Sequence, residues 1–171
     1  GIADAADPAP NNILVTGYTS SWLNTFNGDS ATDQFGYSVS GAGDVNNDGV
    51  DDVIVGAYRD DNNGKTDSGS ARVLSGADGN ILYTFNGDSI NDYFGQSVSG
   101  AGDVNNDGYV DVIVGASYAN NNGKTDSGSA RVFSGANGSI LYTFNGDSAS
   151  DYFGYSVSGA GDVDNDGYAD V

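Results

Sequence analysis

The sequence predicts an all-β chain built of four-stranded antiparallel blades, a β-propeller. Three observations lead there. A 59-residue unit recurs without a gap: FNGDS stands at 26–30, 85–89 and 144–148, Phe-Gly at 35–36, 94–95 and 153–154, and GAGDV at 41–45, 100–104 and 159–163. Each unit holds four short apolar segments bounded by turn residues, the pattern of strands and not of helices. Gly fills 27 of the 171 positions, with Asn, Asp and Ser also abundant. Four strands in one such period match a propeller blade. A β-solenoid, the competing architecture, has shorter coils.

Each element can be justified in order. Residues 1–11, GIADAADPAPN, are small, acidic and Pro-containing and read as a flexible leader without an apolar signal core. Residues 12–26 read as a half-blade, because LVTGYTSSWLNTF (14–26) aligns without gaps to VLSGADGNILYTF (73–85) and so supplies third and fourth strands; Trp22, opposite Ile81, reads as core. Residues 27–85 form the first full repeat. In it FGYSVS (35–40) places Phe35, Tyr37 and Val39 on one face, and DVIVGA (52–57) is a strand buried on both faces. SARVLS (70–75) and NILYTF (80–85) make a hairpin about the turn Gly76-Ala77-Asp78-Gly79. Residues 86–144 repeat this, with 46 of 59 positions identical. Residues 145–171 read as a second half-blade: a first strand at 153–158, a loop, and the start of a second strand at Ala169-Asp170-Val171.

The strands add up to about three blades' worth, with split blades at both termini, whereas closed propellers usually have four to eight blades. The two half-blades are complementary. The expected partner is therefore a second copy of the chain, in a homo-oligomer or a head-to-tail filament; a longer chain carrying further blades is the alternative.

Composition excludes much. Five Lys and Arg against 24 acids, every one an Asp, leave a charge of −19. That is no footprint for nucleic acid or an anionic membrane surface, and no apolar run is long enough for membrane insertion. His, Cys and Met are absent, which removes thiol and imidazole nucleophiles, zinc sites of the usual kind and disulfides.

The chemistry lies between the first and second strands, in DVNNDGVDD (44–52), DVNNDGYVD (103–111) and DVDNDGYAD (162–170). Read as D-x-[DN]-x-D-G-x-x-D, side-chain oxygens come from Asp44, Asn46, Asp48 and Asp52, from Asp103, Asn105, Asp107 and Asp111, and from Asp162, Asp164, Asp166 and Asp170. Position 7 adds a backbone carbonyl from Val50, Tyr109 or Tyr168. A hard cation of the Ca2+ type takes oxygen ligands in this number, and the Gly at position 6 permits the tight turn. An EF-hand would need a Glu at position 12 and flanking helices; here that position is Val55 or Val114. Polar Asx turns are the competing reading, but they do not demand oxygens at fixed alternate positions three times over. One Ca2+ per loop, two to three per chain, is expected.

Phe-Gly, an Asp-rich loop and then VIVGA, in that order, resemble the FG-GAP repeat of integrin α-subunit propellers and of bacterial surface proteins. The resemblance covers about 26–171, with Tyr58 or Ser117 where the family has the Pro of its Gly-Ala-Pro segment. It implies a Ca2+-stabilised propeller whose ligands meet the face opposite the calcium loops, at 27–34, 86–93 and 145–152 and at 58–69 and 117–128. Tyr58, Arg59, Tyr93 and Tyr118 are the candidates there, at positions where the two full repeats differ. Asp29, Asp33 and Asp67 recur beside Gly or Ser and read as turn caps.

Taken together these features point to a secreted, extracellular or cell-surface module. It would be a non-catalytic scaffold for adhesion, ligand binding or self-assembly, with a protein or glycan as ligand. The alternatives are a propeller domain, accessory or catalytic, of a secreted hydrolase or lyase, and an engineered repeat scaffold.

Overall fold

The computed structural model describes residues 25–171; the leader 1–11 and residues 12–24 of the N-terminal half-blade, Trp22 included, lie outside the described residues. Eight strands form two antiparallel sheets: β1 (Ser38–Gly43), β2 (Asp52–Ala57), β3 (Ser70–Leu74) and β4 (Ile81–Asn86), then β5 (Ser97–Gly102), β6 (Asp111–Ala116), β7 (Ser129–Phe133) and β8 (Ile140–Asn145). Each sheet runs in simple sequence order, the arrangement of a propeller blade, and there is no helix among the described residues. β6 is buried along its whole length, as its unbroken apolar run requires. The β3–β4 hairpin closes through Ser75 N–H to Asn80 O at 2.8 Å.

The blades pack face on face. Ala42, Ile54, Val73 and Phe85 of the first repeat share one buried cluster with Val98, Val112, Val114 and Phe133 of the second. The Phe85 and Phe133 rings stack with centroids 4.0 Å apart. A second cluster, Ala101, Val104, Ile113, Ala130 and Val132, receives Val157 and Ala169 of the third repeat. The Tyr83 hydroxyl donates to Gly135 O at 2.7 Å, tying the first blade's outer strand to the second blade's turn.

The first strand differs from the sequence expectation. It begins at Ser38, not Phe35, because Gln34 and Gly36 take left-handed φ of 58° and 88° and Tyr37 N–H closes a turn on Gln34 O at 3.0 Å. Phe-Gly is a hook onto the preceding blade. In the second repeat Tyr93 N–H donates to Asp67 O at 3.2 Å and Phe94 N–H to Ser68 O at 3.0 Å, while Gly95 N–H turns back to Gly115 O of its own blade at 2.9 Å. The expected apolar face of Phe35, Tyr37 and Val39 is correspondingly uneven. Phe94 and Val98 are buried against the first blade, whereas Tyr37 and Val39 are exposed.

The hook works because the chains approach main chain to main chain. A Cβ on Gly56 would stand 1.9 Å from Gly95 O, and one on Gly115 would stand 1.9 Å from Gly154 O. No other residue fits at either joint.

In the third repeat the expected strand at 153–158 is not formed. The chain keeps the hook, with Phe153 bridged to Gly128, and a single bridge between Gly161 and Asp170.

One difference between the blades has a local energetic signature. In the first, Ser70 Oγ–H donates to Asp60 Oδ2 at 2.6 Å. In the second, Ala119 replaces Asp60 and the buried Ser129 Oγ has no partner. Ser129→Ala should therefore be neutral or slightly stabilising, while Ser70→Ala should cost about 1–3 kcal/mol by removing the donor to a charged acceptor. Urea denaturation of the two variants checks this; equal losses would contradict it.

Candidate functional site

Each Asp-rich loop is folded by its own side chains. In 44–52, Asp44 Oδ1 and Asn46 Oδ1 both accept Asp48 N–H at 3.0 Å, Asp44 Oδ2 accepts Gly49 N–H at 2.9 Å, and Asp48 Oδ1 accepts Val50 N–H at 2.9 Å. The loop 103–111 repeats the pattern: Asp103 Oδ1 and Asn105 Oδ1 accept Asp107 N–H, and Asp107 Oδ1 accepts Tyr109 N–H. So does 162–170, where Asp162 Oδ1 and Asp164 Oδ1 accept Asp166 N–H and Asp166 Oδ1 accepts Tyr168 N–H. The side chains of positions 1, 3 and 5 thus fold back onto their own loop, and in the first two loops Asn46 and Asn105 Nδ2–H also donate to Asp48 and Asp107 Oδ2 at 2.9 Å. In the third loop Asp162, Asp164 and Asp166 bring three carboxylate oxygens within 4.8 Å of one another.

Two residues per loop adopt left-handed φ, not one. Gly49, Gly108 and Gly167 do so as expected, and Asn47, Asn106 and Asn165 at position 4 join them. Asn tolerates this region better than most residues, and position 4 supplies no ligand in the oxygen spacing. Asn47 also reaches across to Gly108 O at 3.0 Å, linking neighbouring loops.

Position 9 is different in kind. Asp52 and Asp111 are buried. Asp52 Oδ2 accepts Val45 N–H at 2.9 Å and Oδ1 accepts Gly76 N–H at 3.0 Å; Asp111 does the same with Val104 and Gly135. Each carboxylate spans the loop and the distant turn of the outer hairpin. Burial pushes the Asp111 carboxyl above its ordinary range, against the two N–H groups that pull it down. Asp170 makes the loop contact with Val163 at 2.8 Å.

The donor set fits a hard divalent cation: all oxygen, no nitrogen or sulfur ligand, on a backbone tight enough to converge alternate side chains. Ten of the 24 carboxylates stand at ligand positions, and without a cation they repel at short range.

β2 and β6 start in these loops and end at Ala57 and Ala116, so residues 58 and 117 onward lie at the other end of the sheet. There 58–69 and 86–93 interlock, with Asn91 N–H on Thr66 O at 2.9 Å and Lys65 Nζ on Asp88 O at 2.5 Å. The structure brings Tyr58, Tyr93 and Tyr118 into one aromatic row and adds Tyr37 and Tyr152, which the sequence reading missed. Successive centroids along Tyr37, Tyr58, Tyr93, Tyr118 and Tyr152 are 4.5, 5.5, 5.0 and 5.1 Å apart. The exposed Arg59 lies over the Tyr58 ring at 5.4 Å. Tyr58 and Tyr118 come from different alignment columns, which is why repeat comparison alone did not connect them.

The model of the FG-GAP repeat matches residues 35–74 and 94–133. Integrin alpha-5 of Xenopus laevis is 39% identical over 71 residues, a stretch that is 42% of this chain and 6% of that protein.

Proposed function

We propose that this FG-GAP repeat protein is a Ca2+-stabilised, non-catalytic propeller module that works outside the cell as an adhesion or ligand-binding scaffold. One observation carries the reading: each sheet has two chemically opposite ends. At one end an Asp-rich loop of the same hydrogen-bonded form recurs in every repeat, which suits an ion that holds the fold. At the other an unbroken tyrosine row crosses the hooks between repeats, which suits recognition, since Tyr gives large contact area at small entropic cost. An extracellular setting supplies the millimolar Ca2+ that low-affinity loop sites need. The chemistry of an enzyme has less support: Asp is the only acid present and His and Cys are absent.

The test is adhesion of cells, and binding to a glycan array and to extracellular matrix proteins, by immobilised protein in millimolar Ca2+. Tyr93→Ala and Tyr118→Ala should lower binding at least about tenfold if they behave as interface anchors, with melting curves little changed. Binding that survives both substitutions sinks the assignment of this face.

Self-association is a second reading with its own observation. Phe85 is buried under the second blade, but its counterpart Phe144 and the neighbouring Ile140 and Tyr142 are exposed. Phe144 borders a cleft of about 450 Å³ lined also by Phe153, Tyr155 and Val157. Residues 12–26 of a second copy, which read as third and fourth strands, are the proposed occupant. Light scattering in millimolar Ca2+ should show dimers or larger species; a monodisperse monomer rules this out.

A further inference from the structure

Asn-Gly occurs six times, at 27–28, 63–64, 86–87, 122–123, 137–138 and 145–146. Apart from the first, which adjoins residues outside the described ones, the fold treats these pairs in two ways. In three of them the glycine is locked. Gly87 N–H donates to Gly69 O at 2.8 Å, Gly146 N–H to Gly128 O at 2.9 Å and Gly138 N–H to Ser134 O at 2.7 Å. A Cβ on Gly87 would stand 1.9 Å from Ser68 O, one on Gly146 1.9 Å from Ser127 O and one on Gly138 2.8 Å from the Tyr83 ring.

Asn63-Gly64 and Asn122-Gly123 are the opposite. All four residues are exposed. They form the tips of two-residue turns closed by the Asn62–Lys65 and Asn121–Lys124 bridges, with left-handed φ of 54° and 76° in one and 52° and 74° in the other. Nothing lies within 4 Å of a Cβ added to either glycine. Neither glycine N–H and neither asparagine side chain has a hydrogen-bond partner among the described residues. The chemistry follows from this. An asparagine amide carbon is electrophilic, and the main-chain nitrogen of the next residue can close a succinimide ring on it. Glycine leaves that nitrogen unshielded, whereas an N–H already donated to a carbonyl holds its nitrogen in place.

We propose that Asn63 and Asn122 are self-modification sites, where the side-chain amide is exchanged for a carboxylate through attack by the nitrogen of Gly64 or Gly123. That nitrogen gives its proton to solvent base and bonds to Cγ; the Cγ–Nδ2 bond breaks, ammonia leaves and a succinimide remains. Water then opens the ring, at Cγ to give aspartate or at the main-chain carbonyl to give isoaspartate. Water enters and ammonia departs, with no oxidation or reduction. Each event adds a negative charge to a chain already at −19. The isoaspartyl product also routes the main chain through Cβ, so the turn outgrows its bridge. Both sites fall in the loops 58–69 and 117–128, beside Lys65 and Lys124, whose ammonium groups hold Asp88 O and Asp147 O. The tyrosine end of both full blades therefore carries a chemical clock, whatever ligand that end takes.

The test is incubation of the full chain in millimolar Ca2+ at neutral and mildly alkaline pH, then digestion with an acid-active protease and mass mapping. Loss of the amide should accumulate at Asn63 and Asn122, faster in alkali, while Asn86, Asn137 and Asn145 keep theirs. The same chain in urea, where every pair is an unfolded Asn-Gly, is the reference in which all five convert. Isomerisation of the Asp-Gly pairs leaves mass unchanged and does not enter the reading. Native protein that keeps Asn63 and Asn122 intact while the chain in urea loses them overturns the proposal, and so does native conversion of all five at one rate.

Discussion

Chelation of Ca2+ is expected to lower the melting temperature by about 10–20 °C. A site of extracellular grade has Kd around 10⁻⁴ to 10⁻³ M. At a hundredfold excess over Kd each filled site adds roughly 2.7 kcal/mol. The two complete loops therefore supply about 5 kcal/mol, comparable to the whole stability of many domains. In a chain of this length each kcal/mol moves the midpoint by about 2–4 °C. Asp48→Ala or Asp107→Ala should reproduce about half of the loss, and the variant's melting curve should depend less on added Ca2+. Calorimetry with and without EGTA decides the matter. A midpoint indifferent to chelation would show that the loop hydrogen bonds alone hold these turns, with no ion required.

The repeat, its strands and the Asp-rich loops were legible because they are local. Alternation, turn residues and the spacing of oxygen donors act within a dozen residues, and β2, β3 and β4 lie where those patterns place them. What the sequence hid was non-local. Phe-Gly followed by Gln96-Ser97-Val98 has the look of a strand, yet left-handed Tyr93 and Gly95 turn the chain aside so that the Tyr93 and Phe94 N–H groups grip Asp67 and Ser68 of the other blade, and nothing within the segment shows that partner. The tyrosine row was hidden in the same way, since it takes Tyr37 and Tyr58 from the first repeat, Tyr93 and Tyr118 from the second and Tyr152 from the third. Asp33, Asp92 and Asp151 look equivalent in sequence, yet in the folded chain only Asp92 and Asp151 accept the N–H of the Ser three residues before.

Gly56→Ala is expected to be among the most damaging single-methyl changes in the described residues. The new Cβ would meet Gly95 O at 1.9 Å, and the obstacle is main chain held by its own hydrogen bond to Gly115. Overpacking of this kind costs about 3 kcal/mol or more when nothing can yield, and here the blade-to-blade joint must open to make room. Gly41→Ala is the matched control. It lies in β1 with no atom within 4 Å of the added methyl, so its effect should stay within about 0.5 kcal/mol. Denaturant midpoints of the two variants check the contrast, and similar values would mean that the joint is softer than its geometry.

The carboxylates of Asp52 and Asp111 extend the reach of any bound ion. Each is assigned to a loop, yet holds the N–H of Gly76 or Gly135 at the far side of the blade. Turn and loop consequently share one degree of freedom: ordering either preorganises the other. Residues that never approach a cation, in the β3–β4 and β7–β8 turns, thereby belong to the set that tunes its affinity. By the reciprocity of linkage, filling a loop should slow amide exchange at Gly76 and Gly135. The outer rim of each blade is in this sense a gauge of its inner occupancy, readable without observing the ion.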